Sequence, residues 1–91
     1  MLTLPAAVTV HEANEALQAL MQTLQSESDA AVTVDASALQ HFDSAALAVL
    51  LECKRLAQAA RKPFVVQHAP AKLADLARLY GVDELLTLHV A

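Results

Sequence analysis

The hydrophobic pattern of this chain switches repeatedly between a helical and a strand-like period, and that alternation restricts its fold more than any other feature. Ala13, Ala16, Leu17, Leu20, Met21 and Leu24 fall at i, i+3, i+4, i+7, i+8 and i+11, one face of a helix. The polar run "QSESD" ends it, and "AAVTVDAS" then reads as a buried strand over about 31–35, too short and too β-branched for another helix. A second helix is expected from Ser44 to about Ala60. Its core stripe is Ala46, Val49, Leu50, Cys53, Leu56, Ala57 and Ala60, with Glu52, Arg55 and Gln58 facing outward. "FVVQH" follows as a second buried strand. Pro70 suits the first turn of a third helix, in which Leu73, Leu76, Ala77 and Tyr80 repeat at helical spacing. Gly81 stands where a left-handed C-cap is needed, and "LLTLHV" closes the chain as a short strand or docked tail.

This β/α alternation predicts one α/β domain over residues 1–91, a small mixed sheet with substantial parallel pairing and helices packed mainly on one face. The chain is 56% hydrophobic but 3% aromatic, so its core is built from Ala, Leu and Val. Ninety-one residues suffice for a modest core, not for a core plus a deep substrate cavity. Charged residues are 18%, below the roughly 25% usual for globular domains, which suggests that a partner covers part of the surface.

Composition also excludes whole classes. The net charge is −4, and the Lys and Arg are scattered apart from Lys54, Arg55, Arg61 and Lys62; nucleic-acid binding would want a basic stripe and stacking aromatics. A single glycine cannot build a phosphate-cradling loop, so no nucleotide cofactor is expected. The lone Cys53 fits a reducing compartment and reads as a small buried hydrophobe. No apolar run approaches the roughly 18 to 20 residues of a membrane span, and "MLTLPAAVTVHEA" lacks the pattern of a secretory signal. The expected location is cytoplasmic, with any membrane contact made through a partner.

The candidate site lies in "QHFDSAALAVLLE", residues 40–52. Asp43 reads as an N-cap, and Ser44 begins the helix. A hydroxyl there also lies in a field that tolerates added negative charge, and a phosphate on it could expel a partner from an apolar surface. Capping and switching are compatible. The apolar surplus after Ser44 has two readings. Either the helix is sunk deeply into the core, or Leu47 and Leu51 border a contact patch with Arg55 or Glu52 on its rim. Asp35 and Ser37 follow a buried strand, where turn formers are common. His11, His41, His68 and His89 show no metal-ligand spacing, and no nucleophile–base–orienter set is present, so neither a metal nor catalysis is expected.

"VTVDASALQHFDSAALAVLL", residues 32–51, resembles the signature of the STAS domain family, the sulfate transporter and anti-sigma factor antagonist domains. Asp35 and Ser37 match its Asp-x-Ser at the end of a strand, and Asp43 and Ser44 its Asp-Ser at the head of a helix. "LARLYGVDELL", residues 76–86, is similar to one branch, the STAS subunit of the bacterial maintenance-of-lipid-asymmetry transporter. The resemblance implies a non-enzymatic cytoplasmic subunit that docks on the ABC ATPase of a phospholipid transporter and reaches the inner membrane only through it. Ser44, Asp43, Leu47, Leu51 and Arg55 then belong to the docking region. The alternative branch implies an anti-sigma factor antagonist whose matching serine, Ser44, is phosphorylated by a partner kinase. Two departures from the family pattern stand out. Ala46 replaces a frequent glycine, and only one clear strand, around 2–4 or 7–10, precedes the first helix where the family usually has two.

Overall fold

The computed structural model describes residues 2–26 and 30–90. Two short strands, β1 (Leu2–Thr3) and β2 (Ala7–Val8), precede helix α1 (Ala13–Ser26), where the sequence promised one. Then follow β3 (Val32–Asp35), β4 (His41–Phe42), α2 (Ser44–Ala59), β5 (Phe64–Ala69), α3 (Ala71–Leu79), α4 (Asp83–Leu86) and β6 (Leu88–Val90). The strand β4 is too short to show a period, and the one-turn helix α4 takes Leu85 and Leu86 out of the "LLTLHV" run expected as a closing strand or tail, which leaves β6 only Leu88–Val90. The polar run expected to end α1 extends over residues 27–29, which lie outside the described residues.

The main sheet has the order β1-β3-β5-β6, and β2 pairs with β4 in a separate ladder. Where the sequence suggests a mixed sheet, every ladder among the described residues is parallel. Pro5 accounts for part of this. It has a fixed φ and no N–H to donate, and it lies between β1 and β2, which form no hairpin. Instead β1 runs beside β3, with Leu2 opposite Val34, and β2 runs beside β4.

The strand order steps across the sheet in one direction. Right-handed crossovers taken in a constant direction place every helix on the same face. The burial pattern agrees: Val32, Val34, Phe64 and Val66 are buried, while Thr33, Asp35, Val65 and Gln67 on the other face stay partly exposed. Onto the covered face α1 lays Ala16 and Leu20, and α3 lays Leu73, Ala74 and Ala77. The deepest element is α2, which buries Ala46, Leu47, Val49, Leu50, Cys53 and Ala57. Two members of its expected stripe lift away near the C-terminus: Leu56 is half-buried and Ala60 exposed.

Helices α2 and α3 end alike. After α3 the chain enters the left-handed region at Gly81 (φ +71°), with Gly81 N–H donating to the Arg78 carbonyl (3.0 Å) and Val82 N–H to the Ala77 carbonyl (2.9 Å). This is a Schellman turn, with the glycine at the position expected. After α2 the same pair of bonds forms, Arg61 N–H to Gln58 and Lys62 N–H to Ala57, both 2.9 Å, but the left-handed residue is Arg61 (φ 59°). No atom lies within 4 Å of a Cβ built on Gly81, so a side chain there meets only backbone strain. Gly81→Ala should therefore cost about 1 kcal/mol, and Arg61→Gly should gain a similar or slightly smaller amount. Urea denaturation of the two variants checks both signs.

Candidate docking site

Asp43 precedes α2 in an extended conformation, and its Oδ1 accepts the Ala45 N–H at 2.8 Å, as an N-cap should. Its second oxygen is also used. Oδ2 accepts the N–H of Val10, 33 residues away in the chain, at 3.2 Å. Val10 belongs to the turn that leads into α1, which Thr9 and Glu12 close with their side chains much as a capping box does, except that Thr9 Oγ1 accepts the N–H two residues on rather than three. The carboxylate of Glu12 accepts the Thr9 N–H (3.2 Å) and hydroxyl (2.9 Å), while Thr9 Oγ1 accepts the His11 N–H (3.2 Å). The sequence carries this signal as Thr-x-x-Glu, residues 9–12, ahead of an apolar period, and it is distinct from the hydrophobic spacing that marks the helix. One carboxylate thus ties the head of α2 to the turn that leads into α1.

Ser44 is the first residue of α2 and is exposed. Ser44, Ala48, Leu51 and Arg55 stand at i, i+4, i+7 and i+11, a stripe along the side of α2 turned from the core. Ala48 and Arg55 are exposed and Leu51 is half-buried. Arg55 Nε donates to both carboxylate oxygens of Glu52 (3.0 and 3.1 Å), and its Nη2 also donates to Oε1. That hydrogen bonding holds the Glu52 carboxyl below its ordinary range and lifts the guanidinium above its own. Such exposed pairs orient side chains more than they stabilise the fold.

Beside this stripe lies an open hollow of about 290 Å³, lined by Ser44, Leu47, Ala48, Leu51, Tyr80 and Val82. The turn at Gly81 reverses the chain after α3 and brings Tyr80 and Val82 against α2. Tyr80 does not join the buried stripe of α3 as its spacing suggested; it caps the helix and is 58% exposed. Leu79 and Leu85, at the same α3–α4 corner, are also exposed. The two sequence segments that resembled a known family, 32–51 and 76–86, therefore meet at this surface.

Of the two readings of the apolar surplus, Leu47 follows the first, burial in the core, while also lining the hollow. It is 3% exposed, part of the core, and only its edge floors the hollow. The reason is its spacing with Leu50 and Val49 on the inward side of α2, so the surplus of apolar residues splits between deep burial (Leu47) and surface (Leu51). Asp35 and Ser37 do not line the hollow. Asp35 Oδ1 accepts the Ser37 N–H at 2.9 Å and shapes the turn leaving β3. That hydrogen bond is the main cause holding the Asp35 carboxyl below its ordinary range.

Cys53 is buried, and burial with help from the Glu52 charge pushes its thiol up to about 11, leaving it protonated and unreactive at neutral pH. Among the described residues, no three His, Cys, Asp or Glu side chains gather as a metal set, and no polar or charged side chain is buried. Among them, too, no helix is long and apolar enough to cross a membrane.

An α/β layer with an Asp-Ser pair at the head of its deepest helix defines a class, and the comparison with protein families agrees: the chain belongs to the STAS domain family. The matching family model, described as "Mlab, STAS domain", spans residues 1–87, so the likeness is to a MlaB-like STAS domain and covers nearly the whole chain. No curated protein matches it. STAS domains are generally non-catalytic.

Proposed function

We propose that this chain is a non-catalytic subunit that docks on the ABC ATPase of a phospholipid transporter and supports its assembly and activity in the cytoplasm, at the inner membrane. The observation that carries the reading is the meeting of Ser44, Ala48 and Leu51 with Tyr80 and Val82 around one apolar hollow. The first segment carries the STAS resemblance and the second the lipid-transporter branch, and the family model that matches is described as "Mlab, STAS domain". An open apolar hollow with Ser44 at its edge, and Arg55 one turn beyond Leu51 on α2, suits a protein partner better than a small polar substrate. The ATPase itself would supply the nucleotide and magnesium sites.

The test is co-purification of the tagged chain from the native membrane fraction. Wild type should bring down an ABC ATPase and its permease, and Leu51→Asp, changed at a half-exposed position, should lose them by at least tenfold. Equal recovery by both would remove the reading.

A second reading, an anti-sigma factor antagonist switched at Ser44, is favoured by one observation: the hydroxyl is exposed at the first turn of a helix. A serine kinase of the anti-sigma type should then label wild type and spare Ser44→Ala.

A further inference from the structure

We propose that this chain associates head to tail with a second copy of itself, the acidic, apolar turn of α4 in one copy seating in the groove between α1 and α2 of the next. The inference stands apart from the docking reading and needs no ATPase.

Two surfaces of the same chain carry it. Between the C-terminal halves of α1 and α2 lies a groove of about 200 Å³, lined by Met21, Leu24, Gln25, Leu56 and Ala60. Leu56 and Ala60 are the two stripe residues that leave the core, and their apolar surface opens on this groove. A cavity of about 150 Å³ already takes a benzene-sized group, so the groove has room for a leucine side chain. Directly after Ala60 stands Arg61, exposed and left-handed (φ 59°) at the position that Gly81 fills after α3. A glycine would relieve the backbone there, and the chain keeps a long cation instead.

The complementary surface is α4, whose four residues are Asp-Glu-Leu-Leu. Leu86 faces the core, while Leu85 is 52% exposed beside the two acids, and Leu79 is 80% exposed at the end of α3. The ion pairs among the described residues are Arg55–Glu52 and Arg78–Asp75, so Arg61 on the one surface and Asp83 and Glu84 on the other take part in none of them. The two surfaces cannot meet within one chain. Lys54 Nζ donates to the Leu85 carbonyl and so marks the flank of α2 that holds α4, whereas Leu56, two positions on, points to the opposite flank and the groove. Apolar surface and opposite charge are thus matched between copies. A contact of unlike surfaces leaves one turn and one groove free at the ends, so it propagates along a row of copies.

Sedimentation velocity of the full chain at rising concentration tests this, with circular dichroism melts of every variant alongside. Wild type should sediment faster as its concentration rises, and less so in high salt, which screens the opposite charges. Arg61→Gly removes the cation while relieving the turn, and should weaken self-association about tenfold without lowering the melting temperature. Glu84→Arg should weaken it by a similar factor from the other surface. Mixing these two variants should restore a pair and nothing larger, because each supplies the surface that the other lacks. Wild type that stays monomeric at every concentration, association that both variants keep, or variants that the mixture does not rescue would each overturn the proposal.

Discussion

Leu47→Asp is expected to leave the chain unfolded, whereas Leu51→Asp, one turn further along α2, should leave it folded and unable to hold the ATPase proposed as its partner. The two leucines look alike in the sequence, and the structure separates them. Leu47 is 3% exposed within a core that, among the described residues, contains no buried polar or charged side chain, so an aspartate there has nothing to pair with. An unpartnered buried carboxylate costs about 4–5 kcal/mol or more, against a total stability of about 5–15 kcal/mol for a domain, with the low end more apt for one this small. Leu51 is half-exposed, and its replacement can reach water. Thermal melts followed by circular dichroism decide the matter. A Leu47→Asp melt within a few degrees of wild type would mean that Leu47 is not in the core.

Leu86→Ala should be the most damaging truncation outside the main helices, lowering stability by about 2–5 kcal/mol. Leu86 is 0% exposed and is the buried residue of the one-turn helix α4, too short to be stable by itself. Around it the chain is held by few bonds. Leu86 N–H donates to the Val82 carbonyl at 3.1 Å, Thr87 takes a left-handed conformation (φ 51°), and its carbonyl accepts the Val66 N–H at 3.3 Å to start the β5–β6 ladder. Losing the Leu86 side chain should therefore loosen β6 ahead of the rest of the sheet. Urea denaturation gives the size of the loss, and hydrogen exchange should show the β6 amides losing protection before those of β3. Because Val82 lines the hollow from the same corner, partner binding should weaken in parallel.

These two variants mark the boundary between what a linear reading can and cannot see. The periods were legible: the stripe from Ala13 to Leu24, the β-branched run at Val32–Val34, the "FVVQH" strand and the third helix all stand where their spacing put them. Gly81 was legible too, because only one backbone conformation makes a glycine useful at that point. Asp43 was legible as a cap. The family too was legible, in the Asp-Ser signature and the segment 76–86.

The sequence by itself determined the class of fold, the order of its main elements, the identity of the N-cap and the family. Each depends on neighbours within a turn or two, where spacing is enough. Only the tertiary structure decided that Leu47 turns inward and Leu51 outward, since a 16-residue helix pressed on both a sheet and its neighbours has an inward arc whose width no period states. It also decided that Tyr80 and Val82 meet Ser44 and Leu51, and that the free oxygen of Asp43 reaches Val10 across 33 residues. Those contacts depend on how the parallel crossovers bring helix ends together at one edge of the sheet, and a chain folded in one dimension carries no distance between them.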